Sequence, residues 1–106
     1  MRILFDQGTP VPLRKILSPH QVETAFERGW STLTNGELLA AAEQEGFELF
    51  VTTDKNLRDQ QNFGELRIAI VVLSSTSWPR IQKAATAVKQ AIEAASPGSY
   101  KEVSIP

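Results

Sequence analysis

Three carboxylates stand where the chain changes character. Asp6 ends the run Arg2-Ile3-Leu4-Phe5, and Asp54 ends Leu49-Phe50-Val51-Thr52-Thr53. Glu37 falls three residues after Thr34, at the start of a helical pattern. Like charges about 4 Å apart repel by roughly 4 kcal/mol at an effective dielectric near 20. A cluster of acids therefore needs a cation or a raised pKa. Hard divalent ions prefer oxygen ligands, and magnesium typically takes one or two carboxylates with waters and phosphates. The chemistry open to such a group is metal-assisted attack of water on a phosphodiester. Each acid also has a plainer role available. Glu37 can be the return arm of a capping box begun by Thr34. Asp54 and Asp6 can cap the helices that follow them.

The elements that must position these acids alternate. Arg2 to Phe5 reads as a strand and Asp6-Gln7-Gly8 as the turn out of it. Thr9 can cap a helix of about two turns with Pro10 at its first position, closed by Ser18-Pro19. Gln21 to Ala25 is a weak strand. Thr34-Asn35-Gly36-Glu37 opens a helix that buries Leu38, Leu39 and Ala42, with Gly46 suited to its left-handed exit. Leu49 to Thr53 is a buried strand, and Lys55 to Phe63 a short polar helix. Ile68 to Leu73 is apolar on both faces, as a covered central strand is. One amphipathic helix runs from Trp78 to Ala95, with Ser77 as its cap. Tyr100 to Ile105 alternates and suits an edge strand.

This β-α-β alternation predicts one α/β domain over residues 1–106. It is a three-layer α/β/α sandwich on a mostly parallel sheet of four or five strands. In such a sheet the ligand crevice lies beyond the carboxyl ends of the strands, where strand order reverses. If the strands ending at Asp6 and Asp54 are neighbours, the two acids face one crevice.

Composition narrows the classes. Eleven basic and 12 acidic residues nearly cancel, so bulk charge draws no nucleic acid and any such binding needs a local patch. There is no cysteine, hence neither a disulfide framework nor a thiolate zinc site. His20, the only histidine, reads as a loop residue; a Ser-His-Asp triad is a poor fit. No apolar run is long enough for a signal peptide or a membrane span, which makes the cytoplasm the expected location.

Three stretches, taken together, resemble a known family. They are Ile3 to Phe5 with Asp6, Thr34-Asn35-Gly36-Glu37-Leu38, and Val51-Thr52-Thr53-Asp54-Lys55-Asn56-Leu57. In this order they are similar to the PIN-like family, small toxin-like proteins related to PIN-domain ribonucleases. The resemblance implies a PIN-like fold, a Mg2+ or Mn2+ site, and RNA cleavage in a toxin–antitoxin setting. In that reading Asp6 and Asp54 bind the cation, Glu37 binds it or a coordinated water, and Thr53 positions a ligand or phosphate. The chain departs from the family pattern at Gln7, Asn35 and Asn56, each standing where an acid is common. Amide oxygens still ligate a hard cation, but they add no charge. Asp59 is a possible replacement acid, with a solvated helix residue as its ordinary reading.

Lys55, Arg58 and Arg80 are the basic residues expected near the crevice, where they can hold a phosphate backbone. Arg14 and Lys15 are expected toward the opposite end of the sheet. Trp78 can stack on a base or pack against the helix it precedes, and Trp30 is core or interface. A cognate antitoxin is an implied partner, and the open final strand allows a homodimer. Two other readings compete with the ribonuclease. One is a partner-binding module of PIN-like type that has lost catalysis. The other is a phosphoacceptor receiver-like domain built on Asp54, Asp6 and Ser74, in which Gln7 breaks the usual pair of acids.

Overall fold

The computed structural model describes residues 1–57 and 66–106. Five short strands form its sheet: β1 (Arg2–Phe5), β2 (Gln21–Thr24), β3 (Leu49–Thr52), β4 (Ala69–Leu73) and β5 (Tyr100–Val103). Their order is β2-β1-β3-β4-β5, and all four ladders are parallel. β3 and β4, flanked on both sides, are buried at every position, as their unbroken apolar runs require. The edge strands β2 and β5 carry most of the sheet's polar residues.

The period-2 alternation of the strands builds two cores. Ile3, Phe5, Leu49, Val51, Val71 and Leu73 share one face. Helices α1 (Leu13–Ile16), α3 (Trp78–Lys83) and α4 (Ala85–Glu93) cover it through Leu13, Ile81, Val88 and Ile92. Leu4, Phe50, Ile70 and Val72 point the other way and meet Leu38, Leu39 and Ala42 of α2 (Asn35–Gln44). The result is the expected three-layer α/β/α sandwich. Each fully buried Leu, Ile or Phe side chain contributes about 1.5–3 kcal/mol, so these two cores hold the layers together. Among the described residues, no helix is long and apolar enough to cross a membrane.

Several local expectations change. α1 is one turn, not two, because Pro10 and Pro12 confine the chain to turns until Leu13. Thr9 does not cap it: its hydroxyl is directed to Asp6 and the Val51 carbonyl instead. The expected single C-terminal helix is two helices meeting at Ala84, whose ψ of 16° leaves helical geometry. Trp78 is half-buried against the first core rather than set out for stacking. Trp30 packs edge-on to Phe47, with the Arg28 guanidinium 4.8 Å above its ring. From Arg58 onward the expected polar helix lies outside the described residues, and with it both Arg58 and Asp59.

Candidate active-site crevice

The sheet's strand order reverses between β1 and β3, since β1 runs on to β2 on one side and is joined by β3 on the other. That junction is the switch point where open α/β sheets bind ligands. The pairing there runs Ile3 to Leu49, Leu4 to Phe50 and Phe5 to Val51. One step further, Asp6 donates its N–H to the Val51 carbonyl at 3.1 Å, and its side chain falls on the same face as that of Thr52.

Asp6 is only 7% exposed, and Thr52 is fully buried. A carboxylate out of water needs hydrogen-bond donors. Asp6 receives three. Its Oδ1 accepts from the Thr9 N–H at 3.0 Å and from the Thr9 hydroxyl at 2.7 Å. Its Oδ2 accepts from the Thr52 hydroxyl in a short bond. The Thr52 oxygen in turn accepts the Asp54 N–H at 3.0 Å. A single hydroxyl therefore links the two strand-end acids.

Asp54 lies two residues past β3 and is half-buried. Its Oδ1 accepts from the Asn56 N–H at 2.9 Å, closing a tight turn. Its Oδ2 accepts from the Asn35 side-chain amide at 2.8 Å. Asn35 is the first residue of α2, so this bond ties the helix start to the end of β3. Thr53 sets its hydroxyl against the Gly8 backbone, where a Cβ would come within 2.5 Å of it. Position 8 is therefore glycine for close approach rather than for backbone freedom.

Glu37 takes the plainer of its two roles. It accepts from the Thr34 N–H at 2.9 Å while Thr34 Oγ1 accepts from the Glu37 N–H at 3.2 Å. The Thr34 N–H, followed by the Thr34 hydroxyl, holds the Glu37 carboxyl below its ordinary pKa. The Thr52 hydroxyl ties the Asp6 carboxylate to the Asp54 backbone, and Glu37 stays engaged at the helix tip. Among the described residues no three acids or histidines form a group able to hold one ion.

Lys55 and Arg80 are exposed, on the segments that follow β3 and β4. Ser74 accepts the Ile105 N–H at 2.7 Å, which commits it to the exit of β5. Arg14 is not at the far end of the sheet: with α1 a single turn, it pairs with Glu27 beyond β2 through contacts of 2.6 and 3.2 Å. The two residues line a pocket that also includes Asp6 and Gln7.

Sequence reasoning missed two parts of this network. Thr9 reads as a helix cap because a proline follows it, and Thr52 reads as strand filler. The usable signal was the in-register position of Thr52 across from Asp6, which the strand pairing alone supplies. The Arg14–Glu27 pair joins an α1 residue to the turn after β2 and has no periodic signature.

An ionised carboxylate has about four acceptor positions. Among the described residues, Asp6 accepts three, from Thr9 and Thr52. Among the described residues, Asp54 accepts two, from Asn56 and Asn35. Two carboxylates are within the number magnesium ordinarily takes. Comparison with protein-family models, curated proteins and solved structures returns no match to this chain.

Proposed function

We propose that this crevice hydrolyses RNA phosphodiesters with the help of one Mg2+ or Mn2+ ion, held by Asp6 and Asp54. The observation that carries the reading is the Thr52 hydroxyl joining the Asp6 carboxylate to the Asp54 backbone at the point where the strand order reverses. The order of the Asp6, Thr34–Leu38 and Val51–Leu57 motifs supports it. A bound ion would supply Lewis acidity and neutralise charge building on the phosphate. The chain's own residues do the rest. Thr9 and Thr52 fix the Asp6 carboxylate, and Asn35 with the Asn56 N–H fixes Asp54. Lys55 and Arg80 offer charge to the phosphate backbone. Glu37 acts through the helix it caps, which carries Asn35 to Asp54.

The test is cleavage of a mixed-sequence RNA in added manganese. Wild type should cut, and Asp54→Asn should lose roughly 100-fold or more, the size of effect expected when Lewis-acid stabilisation worth several kcal/mol is removed. Asp54 is chosen because it is only part-buried, so its loss need not unfold the chain. Equal cleavage by the two proteins would refute the reading. A role as the toxin of a toxin–antitoxin pair belongs to the same proposal, and a co-purifying antitoxin that blocks cleavage would test it.

A second reading has its own support: a PIN-like module that binds a partner and no longer cleaves. The Asn35 amide gives Asp54 a hydrogen-bond donor, which lowers the need for a counter-ion that clustered acids would create. Calorimetry with Mg2+ and Mn2+ separates the two. Binding in the millimolar range or tighter favours hydrolysis, and no binding favours the module.

A further inference from the structure

The described residues expose two large hydrophobic side chains, Val11 at 53% and Phe26 at 76%. They come from different segments, one from the turn before α1 and the other from the turn after β2. Both line one pocket of about 540 Å3, which reaches Asp6. Single exposed hydrophobics need no explanation, but two converging beside a buried carboxylate do. The volume falls in the range of small-ligand pockets.

The backbone on either side of Phe26 is braced by hydrogen bonds. Thr24 and Glu27 flank it and bond reciprocally: the Thr24 N–H donates to Glu27 at 3.0 Å, and the Glu27 N–H donates to Thr24 Oγ1 at 3.0 Å. Arg14 grips the same Glu27 carboxylate with two nitrogens. Five polar groups thus fix a turn whose middle presents an aromatic ring to solvent. A solvent-facing ring on a turn braced in this way offers a face on which a base can stack.

We infer that this pocket receives one unpaired nucleobase of single-stranded RNA, stacked on Phe26 against Val11. The choice of ligand rests on the phosphodiesterase reading above. The charge balance of the pocket selects the base over the phosphate. Asp6 and Glu27 outnumber Arg14, so the pocket repels an anion, whereas a neutral ring with amino donors meets acceptors. The adjoining backbone is then left beside Asp6.

The probe is a short single-stranded RNA containing 2-aminopurine, whose fluorescence falls on stacking, titrated with protein in chelator so that no metal chemistry enters. Wild type should quench it. Phe26→Ala should weaken binding by roughly 5- to 150-fold, the range measured for removing one stacking ring, and Phe26→Trp should retain it. Because Phe26 is exposed, neither substitution threatens the fold. Equal binding by wild type and Phe26→Ala overturns the inference, as does no binding by wild type at millimolar protein. So does a Phe26→Ala variant that binds RNA as wild type does but changes from dimer to monomer in sedimentation, which would make this face a self-association surface. Phe26-dependent quenching without manganese-dependent cleavage leaves the base pocket standing and removes the hydrolytic reading. Cleavage without Phe26-dependent quenching does the reverse.

Discussion

Replacing Thr52 by valine removes one oxygen and keeps the side chain's shape. In the structure that oxygen donates to Asp6 Oδ2 and accepts the Asp54 N–H. Valine leaves a buried carboxylate oxygen without its donor, a loss of about 1.5–3 kcal/mol for a hydrogen bond to a charged group. It also leaves the part-buried Asp54 N–H unpaired, which adds about 1 kcal/mol. The sum is about 2.5–4 kcal/mol, on the order of 15 °C in Tm for a chain of this size. Thr52→Ser keeps the hydroxyl and removes one methyl group, costing about 1 kcal/mol. Urea unfolding of the three proteins in chelator measures both differences without any metal effect. A double-mutant cycle with Asp6→Asn should show coupling of about 1 kcal/mol or more, since the two side chains share one bond. If Thr52→Val is no less stable than Thr52→Ser, the hydroxyl does not link the acids and the crevice loses its organising contact.

Three further outcomes follow from the same geometry. Gly8→Ala should destabilise by about 1–3 kcal/mol in urea unfolding, because its Cβ would meet Thr53 Oγ1 at 2.5 Å; a change below about 0.5 kcal/mol would show that Thr53 simply swings aside. Thr34→Ala should cost about 1 kcal/mol through the lost cap, and it should loosen the Asn35 contact with Asp54, read as faster hydrogen exchange at the start of α2. Acid should weaken the fold through Glu27 and Glu37. Arg14 chiefly lowers the first and the Thr34 N–H the second, both from 4.5. Because both pKa values are depressed in the folded state, their stabilisation is present above 4.5 and fades as pH falls through the folded values. Tm measured from neutral pH downward should show that decline, and Arg14→Ala should flatten the Glu27 share of it.

Much of the frame is legible in the residues. Period-2 alternation in Ile3 to Phe5 and Leu49 to Thr52 sorts the side chains into the two cores that form. The spacing of Thr34 and Glu37 specifies the capping box that is found. The adjacency of β1 and β3, on which the placing of Asp6 and Asp54 depends, is only a condition at the level of sequence, because alternation does not fix strand order; the structure supplies it. What escapes sequence reasoning is side-chain direction. Glu37 cannot both return to the Thr34 N–H and lean into the crevice, and the local bond prevails because it closes over three residues. Thr9 had a choice between a helix start and a buried carboxylate, and the carboxylate out of water is the stronger acceptor. Phe26 gave no periodic signal, since an exposed aromatic in a turn looks like any loop residue until the pocket beside it is known.

The pairing of Asp6 with Asp54 as joint ligands is tested most directly by anomalous diffraction from crystals soaked in manganese. A peak in coordination contact with carboxylate oxygens of both residues is the expected result. A soak that leaves no manganese at this pair, or places it on one acid with the other turned away, would contradict it.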